Sequence, residues 1–198
     1  MTVTVFFVRH AAHDRLGKVL CGRMPGVRLG EEGGRQALAV ANRLRSEPIT
    51  AVFTSPLERA RQTAEAIGDA FGLIPETIEA LNEIEFGAWT GAEFSALDAQ
   101  PAWQEWNRRR AEARPPGGEC VAEVRQRLSE WLDDLADRRS GEAVAAVSHA
   151  DVIKTALSDV LGLSPDQHQQ FDIGPGSISV VVKGPWGAKV HSINEAPR

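Results

Sequence analysis

Cysteine is scarce in this chain of 198 residues, positive charge is outnumbered, and no apolar run is long. The two thiols, Cys21 and Cys120, show no CxxC or ligand-like spacing, which argues against a disulfide scaffold or a zinc site and leaves both expected to be reduced. Lysine and arginine number 22 against 27 aspartates and glutamates, a net charge of -5, so no positive field holds a polyanionic backbone and nucleic acid is not an expected partner. The first residues carry an apolar run of about six before Arg9 and no basic leader, too short for a signal peptide or a membrane span. A cytoplasmic protein without membrane contact is the expectation. Hydrophobic residues at 42% and charged residues at 25% are ordinary globular usage, which sets aside disordered tails and fibrous repeats. The length suits one domain over 1–198, with no internal repeat or linker.

What is present alternates. Residues 2–8 are β-branched and aromatic and read as a buried strand ending abruptly at Arg9-His10. A glycine-rich loop follows, then helical spacing of Ala37, Leu38, Ala41 and Leu44 over 35–45. Residues 49–54 form a second short apolar strand. After Pro56 the stripe Ala60, Ala64, Ile67 and Phe71 predicts a helix that Gly72 ends. Residues 77–118, punctuated by Gly and Pro, read as an insertion with short helices. From Glu119 the strongest helical periodicity of the chain runs through Val121, Val124, Leu128, Leu132 and Leu135. Residues 143–147 are an all-apolar strand ending in Ser148-His149, and a further helix reaches Gly162. Residues 177–182 and 189–193, joined across Gly184-Pro-Trp-Gly187, predict a hairpin. Strands alternating with helices imply an α/β sandwich around a largely parallel sheet, with antiparallel strands added at its edge by the hairpin.

Ligands of such sheets bind beyond the carboxyl ends of the strands. One of these ends carries Arg9-His10, another leads through Thr54-Ser-Pro-Leu-Glu to Arg59, and a third carries Ser148-His149 at a helix start. Folding can bring two histidines and two arginines to one rim. Guanidinium forks match phosphate oxygens, and a helix N-terminus adds N–H groups and a favourable dipole. A neutral imidazole is a nucleophile near pH 7, so one histidine can attack phosphorus while the other groups stabilise the equatorial oxygens, with no metal required. The departing alkoxide then needs a proton from a carboxylic acid with a raised pKa, for which Glu83 and Glu85 are candidates.

The ordered set Val8-Arg9-His10, Gly22-Arg23-Met-Pro-Gly-Val-Arg-Leu29, Ser55-Pro-Leu-Glu-Arg-Ala-Arg-Gln-Thr-Ala64, Leu81-Asn-Glu-Ile-Glu-Phe-Gly87, Pro116-Gly-Gly-Glu119 and Val147-Ser-His149 resembles the histidine phosphatase superfamily, the phosphoglycerate mutase-like family. The resemblance covers most of the chain. It implies a three-layer α/β/α sandwich with a mostly parallel sheet, a cap insertion at about 77–118, and a phosphohistidine intermediate with no metal or other cofactor. By the same resemblance His10 is the nucleophile, and Arg9, Arg59 and His149 hold the phosphate. Glu83, four residues before Gly87, is the general acid in preference to Glu85. Cys21, Gly22 and Arg23 fall where relatives contact substrate, Arg23 being able to reach an acidic group, and Ala150 stands where a Gly is frequent. A small phosphorylated substrate is the implied partner, and a homodimer is common among relatives.

The chain also departs from the pattern. Ala11, Ala12, His13 and Leu16 replace the usual Gly, acidic or amide residue, Ser or Thr, and Asn after the histidine. Ala11 is tolerable if its φ is negative. Phe86 stands where the glycolytic mutases carry a Tyr, there is no Tyr in the chain, and a Lys expected near Phe94 is missing. The implied activity is therefore phosphomonoester hydrolysis, with a cofactor-dependent phosphoglycerate mutase-type phosphomutase and a non-catalytic phosphate-binding module as the alternatives. His13 is read first as a solvated loop residue, with substrate contact the alternative. His168 and His191 are expected at the surface, Arg108, Arg109 and Arg110 on a solvated helical face, and Trp89, Trp103 and Trp106 in packing. Asp151 is divided between helix start and substrate contact.

Overall fold

The computed structural model describes residues 1–197. Among them a six-stranded sheet has the order β3-β2-β4-β1-β5-β6, formed by β1 (Val3–Arg9), β2 (Ile49–Thr54), β3 (Glu76–Thr77), β4 (Ala143–Ser148), β5 (Ile178–Gly184) and β6 (Gly187–Glu195). The first four run parallel, and the β5–β6 hairpin joins β1 antiparallel. This is the α/β fold with a mostly parallel sheet that the alternation implies. Every residue of β4 is buried, as a central strand covered on both faces requires.

Helices α1 (Glu31–Leu44) and α2 (Glu58–Phe71) pack together on one face of the sheet. There Val40, Leu44 and Ile67 meet Phe6, Val8 and Val52. The other face carries α5 (Val121–Arg138) and α6 (Ala150–Leu161), whose Leu128, Leu132 and Ile153 share a core with Phe7, Phe53 and Val144. Gly72 and Gly162 close α2 and α6 in the left-handed conformation, at φ of 67° and 68°, which a Cβ would strain. Between β3 and α5 lie the short helices α3 (Phe94–Asp98) and α4 (Pro101–Arg108), with single 3-10 turns at Glu79–Leu81 and Gly87–Trp89. No helix of the described residues is long and apolar enough to cross a membrane.

Strand ends shift by one or two residues, and two elements depart further from the sequence reading. Helix α1 begins at Glu31 rather than 35: Gly33 and Gly34 dilute the apolar period, while Glu31 and Glu32 in the first turn suit the positive end of the helix dipole. Strand β3 is unforeseen, because its two residues are both exposed and carry no alternation.

Parallel register sets the functional rim. Arg9 pairs with Ser148, and Val147 lies level with both Val8 and Thr54. The residues that follow β1 and β4, His10 and His149, therefore leave the sheet at one height, with Ser55 one residue lower in register, level with Arg9 and Ser148. The amide of His10 donates to the Ser148 carbonyl at 2.9 Å, and that of Ser55 to the Val147 carbonyl at 3.0 Å.

Candidate active site

His10 follows β1 with its ring buried. Its Nδ1 lies 2.8 Å from the Ala11 carbonyl, and since a carbonyl only accepts, Nδ1 carries the proton and Nε2 the lone pair. The Nε of Arg59 donates to that Nε2 at 3.3 Å. Arg59 rises from the first turn of α2 and is only 1% exposed; its Nη2 donates to the Gly22 carbonyl at 2.8 Å and to His149 Nδ1 at 3.3 Å. His149 is fully buried, its Nε2 shares a 2.8 Å hydrogen bond with the Ser55 hydroxyl, and its ring centroid is 5.1 Å from that of His10. Arg9 is anchored by Nη1, which donates to the Ile173 carbonyl at 2.6 Å. The Nε of Arg9 and Nη1 of Arg59 are buried with no partner among the described residues, two free donors at the site of His10.

Glu83 completes the group. Its side chain is 13% exposed, with Oε2 3.8 Å from His149 Nδ1 and Oε1 accepting from the Ile84 amide at 2.9 Å. Burial and then the Asp151 charge push its carboxyl up to about 7, against the opposing pull of Arg59 and Arg9. Burial, followed by the charge of Arg59, holds both His10 and His149 well below the ordinary imidazole value. At neutral pH the site thus combines two neutral imidazoles, two guanidiniums and a carboxyl balanced near half-protonation.

The loop carrying Glu83 is braced from below. Arg23 Nε donates to the Glu83 carbonyl at 2.7 Å, and Arg23 Nη2 and Arg127 Nη2 each lie 3.1 Å from Glu119 Oε2. Arg127 also donates to the Ala80 carbonyl, and the Ser148 hydroxyl to that of Leu81 at 2.7 Å. Gly87 and Gly118 let this loop touch the Pro116-Gly-Gly turn: a Cβ on Gly118 would sit 2.2 Å from the Glu85 carbonyl oxygen.

A cavity of about 340 Å³ opens over these groups, at the small end of ligand pockets. Arg9, His10, Arg59, Glu83, Cys21, Gly22 and Ala150 all line it, so the sequence-derived set converges, with His149 directly behind. Gly22, at φ +48°, turns its carbonyl inward to orient Arg59. Arg23 is the exception. The acidic group it reaches is the protein's own Glu119, and it does not line the cavity. Glu85 likewise turns away, with one oxygen accepting from the Gly87 amide at 3.1 Å and the other 4.0 Å from Arg23.

Three surface readings need correction. His13 is buried in the cavity wall, its centroid 5.4 Å from that of His10, because the loop after β1 folds back over the site. Arg110 is 7% exposed rather than solvated: it lies past the end of α4, stacks over Trp106 and pairs with Asp151 at 2.9 Å, while Arg108 and Arg109 stay exposed. His168 is 8% exposed, enclosed against α6 beside Lys154. Asp151 both occupies the first turn of α6 and borders the cavity. Ala11 keeps a negative φ, since Asn194 alone among the described non-glycine residues has a positive one. Trp89, Trp103 and Trp106 are buried against one another. Sequence reasoning missed Ser55, Thr63 and Arg127. Thr63 stands one helical turn after Arg59 and its hydroxyl accepts from the Ala11 amide at 3.1 Å, a placement that the i, i+4 spacing offered.

The model of the histidine phosphatase superfamily (branch 1) matches residues 5–196. A "probable phosphoglycerate mutase GpmB" of Yersinia enterocolitica is 34% identical over 170 residues, covering 83% of this chain and 78% of the relative. Among solved structures, a mutant phosphoserine phosphatase of Entamoeba histolytica in complex with phosphoserine superposes with a TM-score of 0.85 at 25% identity, covering 98% of each chain. A mycobacterial glucosyl-3-phosphoglycerate phosphatase, at 23% identity and a TM-score of 0.85, shares the fold over 98% of this chain and 100% of its own.

Proposed function

Because the chain belongs to the histidine phosphatase superfamily, branch 1, whose members transfer phosphoryl groups, we propose that it is a phosphomonoester hydrolase acting on a small phosphorylated molecule through His10. The observation that carries this reading is the pairing of one lone pair with one proton. His10 Nε2 is unprotonated and faces Arg59, and Glu83, half-protonated near pH 7, borders the same cavity.

The reaction follows from these groups. Arg9 and Arg59 hold the phosphoryl oxygens, joined by His149 in the tautomer that carries its proton on Nδ1 and accepts the Ser55 hydroxyl at Nε2; this draws the Arg59 donor from His10 Nε2 and frees that nitrogen to attack in line. The P–N bond forms as the P–O bond to the alcohol breaks, and the Glu83 proton passes to the departing oxygen. The glutamate, now ionised, takes a proton from water as the water oxygen attacks phosphorus. The P–N bond breaks, inorganic phosphate leaves, and both residues return to their starting states.

Rapid acid-free quenching after mixing with p-nitrophenyl phosphate should trap base-stable, acid-labile phosphate on His10, and His10→Ala should abolish both that label and turnover. Hydrolysis undiminished in His10→Ala overturns the assignment. The name of the Yersinia relative supports a second reading, phosphomutase. It requires that 3-phosphoglycerate be isomerised in the presence of 2,3-bisphosphoglycerate rather than simply dephosphorylated.

A further inference from the structure

Beyond the phosphate groups, the cavity is walled by Leu16, Val19, Leu20, Phe86, Phe94 and Ala150. The loop after β1 supplies the first three, the turn after Glu83 and the start of α3 the two phenylalanines, and α6 the alanine. Leu16 holds the position at which the family pattern has Asn, so the departure seen in the sequence falls on the substrate wall itself.

The charges that line the cavity are few. Its cations are Arg9 and Arg59, both committed to the phosphoryl position. Of the arginines in the surrounding loops, Arg23 is closed off by Glu119 and Arg110 by Asp151, while Arg15 is exposed, turns to the Met24 sulfur and does not line the cavity. Burial keeps His13 neutral until about pH 4 and raises the Cys21 thiol, so neither presents a charge near neutrality. The wall carboxyls are Glu83, beside His149, and Asp151, whose ionisation burial opposes but which the paired Arg110 holds below its ordinary value. A carboxylate on the alcohol half of a substrate would meet leucine, valine and phenylalanine, and no lining cation outside the phosphoryl position. An unpaired anion placed on such a surface loses its hydration with nothing to replace it. An apolar group placed there gains about fourfold in affinity per buried methylene.

We infer that the alcohol half of the substrate is apolar and uncharged, an alkyl or aryl phosphomonoester rather than a phosphorylated carboxylic acid, seated on Leu16, Val19, Leu20, Phe86 and Phe94. The inference rests on the hydrolase reading for its chemistry, yet the wall acts on binding and is tested without turnover.

Titration calorimetry with non-hydrolysable phosphonates provides the test. Hexylphosphonate should bind at least about tenfold more tightly than 5-carboxypentylphosphonate, whose chain is similar but ends in a carboxylate, and more tightly than ethylphosphonate. In Leu16→Lys the carboxylated ligand should gain at least about tenfold relative to hexylphosphonate. Val19→Lys repeats the measurement at a second wall position should the first variant fold poorly. Equal or tighter binding of the carboxylated ligand to the unaltered protein, or no gain with chain length, overturns the inference. Hydrolysis of hexyl phosphate is read separately: preferential phosphonate binding without turnover defeats the hydrolase reading and leaves the apolar wall standing.

Discussion

A carboxylic acid donates a proton at neutral pH only where its surroundings penalise the ionised form, and Glu83 meets that penalty twice, in burial and in the charge of Asp151. Since the protonated form protects the leaving alkoxide, hydrolysis of an alkyl phosphate should fall as pH rises through about 7. Glu83→Gln should lower kcat for that ester by roughly 10²–10⁴, flatten this limb, and leave the affinity for inorganic phosphate nearly unchanged. An ester with a good leaving group, such as p-nitrophenyl phosphate, should suffer far less. A retained limb in the glutamine variant would reassign the proton donor. Among single residues, Arg9, His10, His149 and Arg59 were legible because each stands at the last residue of a strand, directly after one, or in the first turn of the helix that follows one. His13, Arg110 and His168 were not. Their burial comes from contacts with the active-site loop, with Trp106 and Asp151, and with α6, none of which leaves a period in the local sequence.

Helix α1 shows how tightly an element can be tied to the site. Its first two turns press on the chain just after His10: Gln36 Oε1 accepts from the Ala12 amide at 2.9 Å, and a Cβ on Gly33 would stand 2.0 Å from the Ala12 carbonyl oxygen. The neighbouring Gly34 has open space at the same position. Alanine in a helix is ordinarily worth up to about 1 kcal/mol over glycine, so Gly34→Ala should stabilise by roughly 0.5–1 kcal/mol. Gly33→Ala should instead destabilise by about 1–3 kcal/mol through overpacking and slow catalysis by displacing the backbone beside His10. Urea unfolding of the two variants decides it, and stabilisation by both would refute the close approach. An element with a long apolar period, such as α5, was readable from sequence, its start within two residues. The start of α1 and the whole of β3 were obscured, the one by the glycines just described and the other by having two exposed residues.

For the molecule as a whole, four histidines, His10, His13, His149 and His168, fold with imidazoles harder to protonate than in the open chain, burial being the first cause in each. A pKa lowered by folding contributes stability that is present above about 6.5 and is lost as pH falls, reaching about 4 for His13 and His168. Each such group costs about 1.4 kcal/mol per pH unit once the unfolded imidazole is charged. Glu83 works in the opposite sense: its raised pKa favours the folded state as pH drops from about 7 towards the ordinary carboxylate value. With four groups against one, the unfolding free energy should decline between pH 6.5 and 5, and more steeply in Glu83→Gln. Calorimetric or urea-derived stabilities across that range check the slope, and a flat or rising profile toward acid would contradict it. The strand order carries a different consequence. β4 lies between β1 and β2, and both hydrogen-bonding neighbours of β1, β4 and β5, come from the last third of the chain. As the polypeptide leaves the ribosome, the strand that carries His10 waits without an edge to pair with until residues beyond 143 emerge, so the site is assembled through contacts of long sequence separation that slow folding.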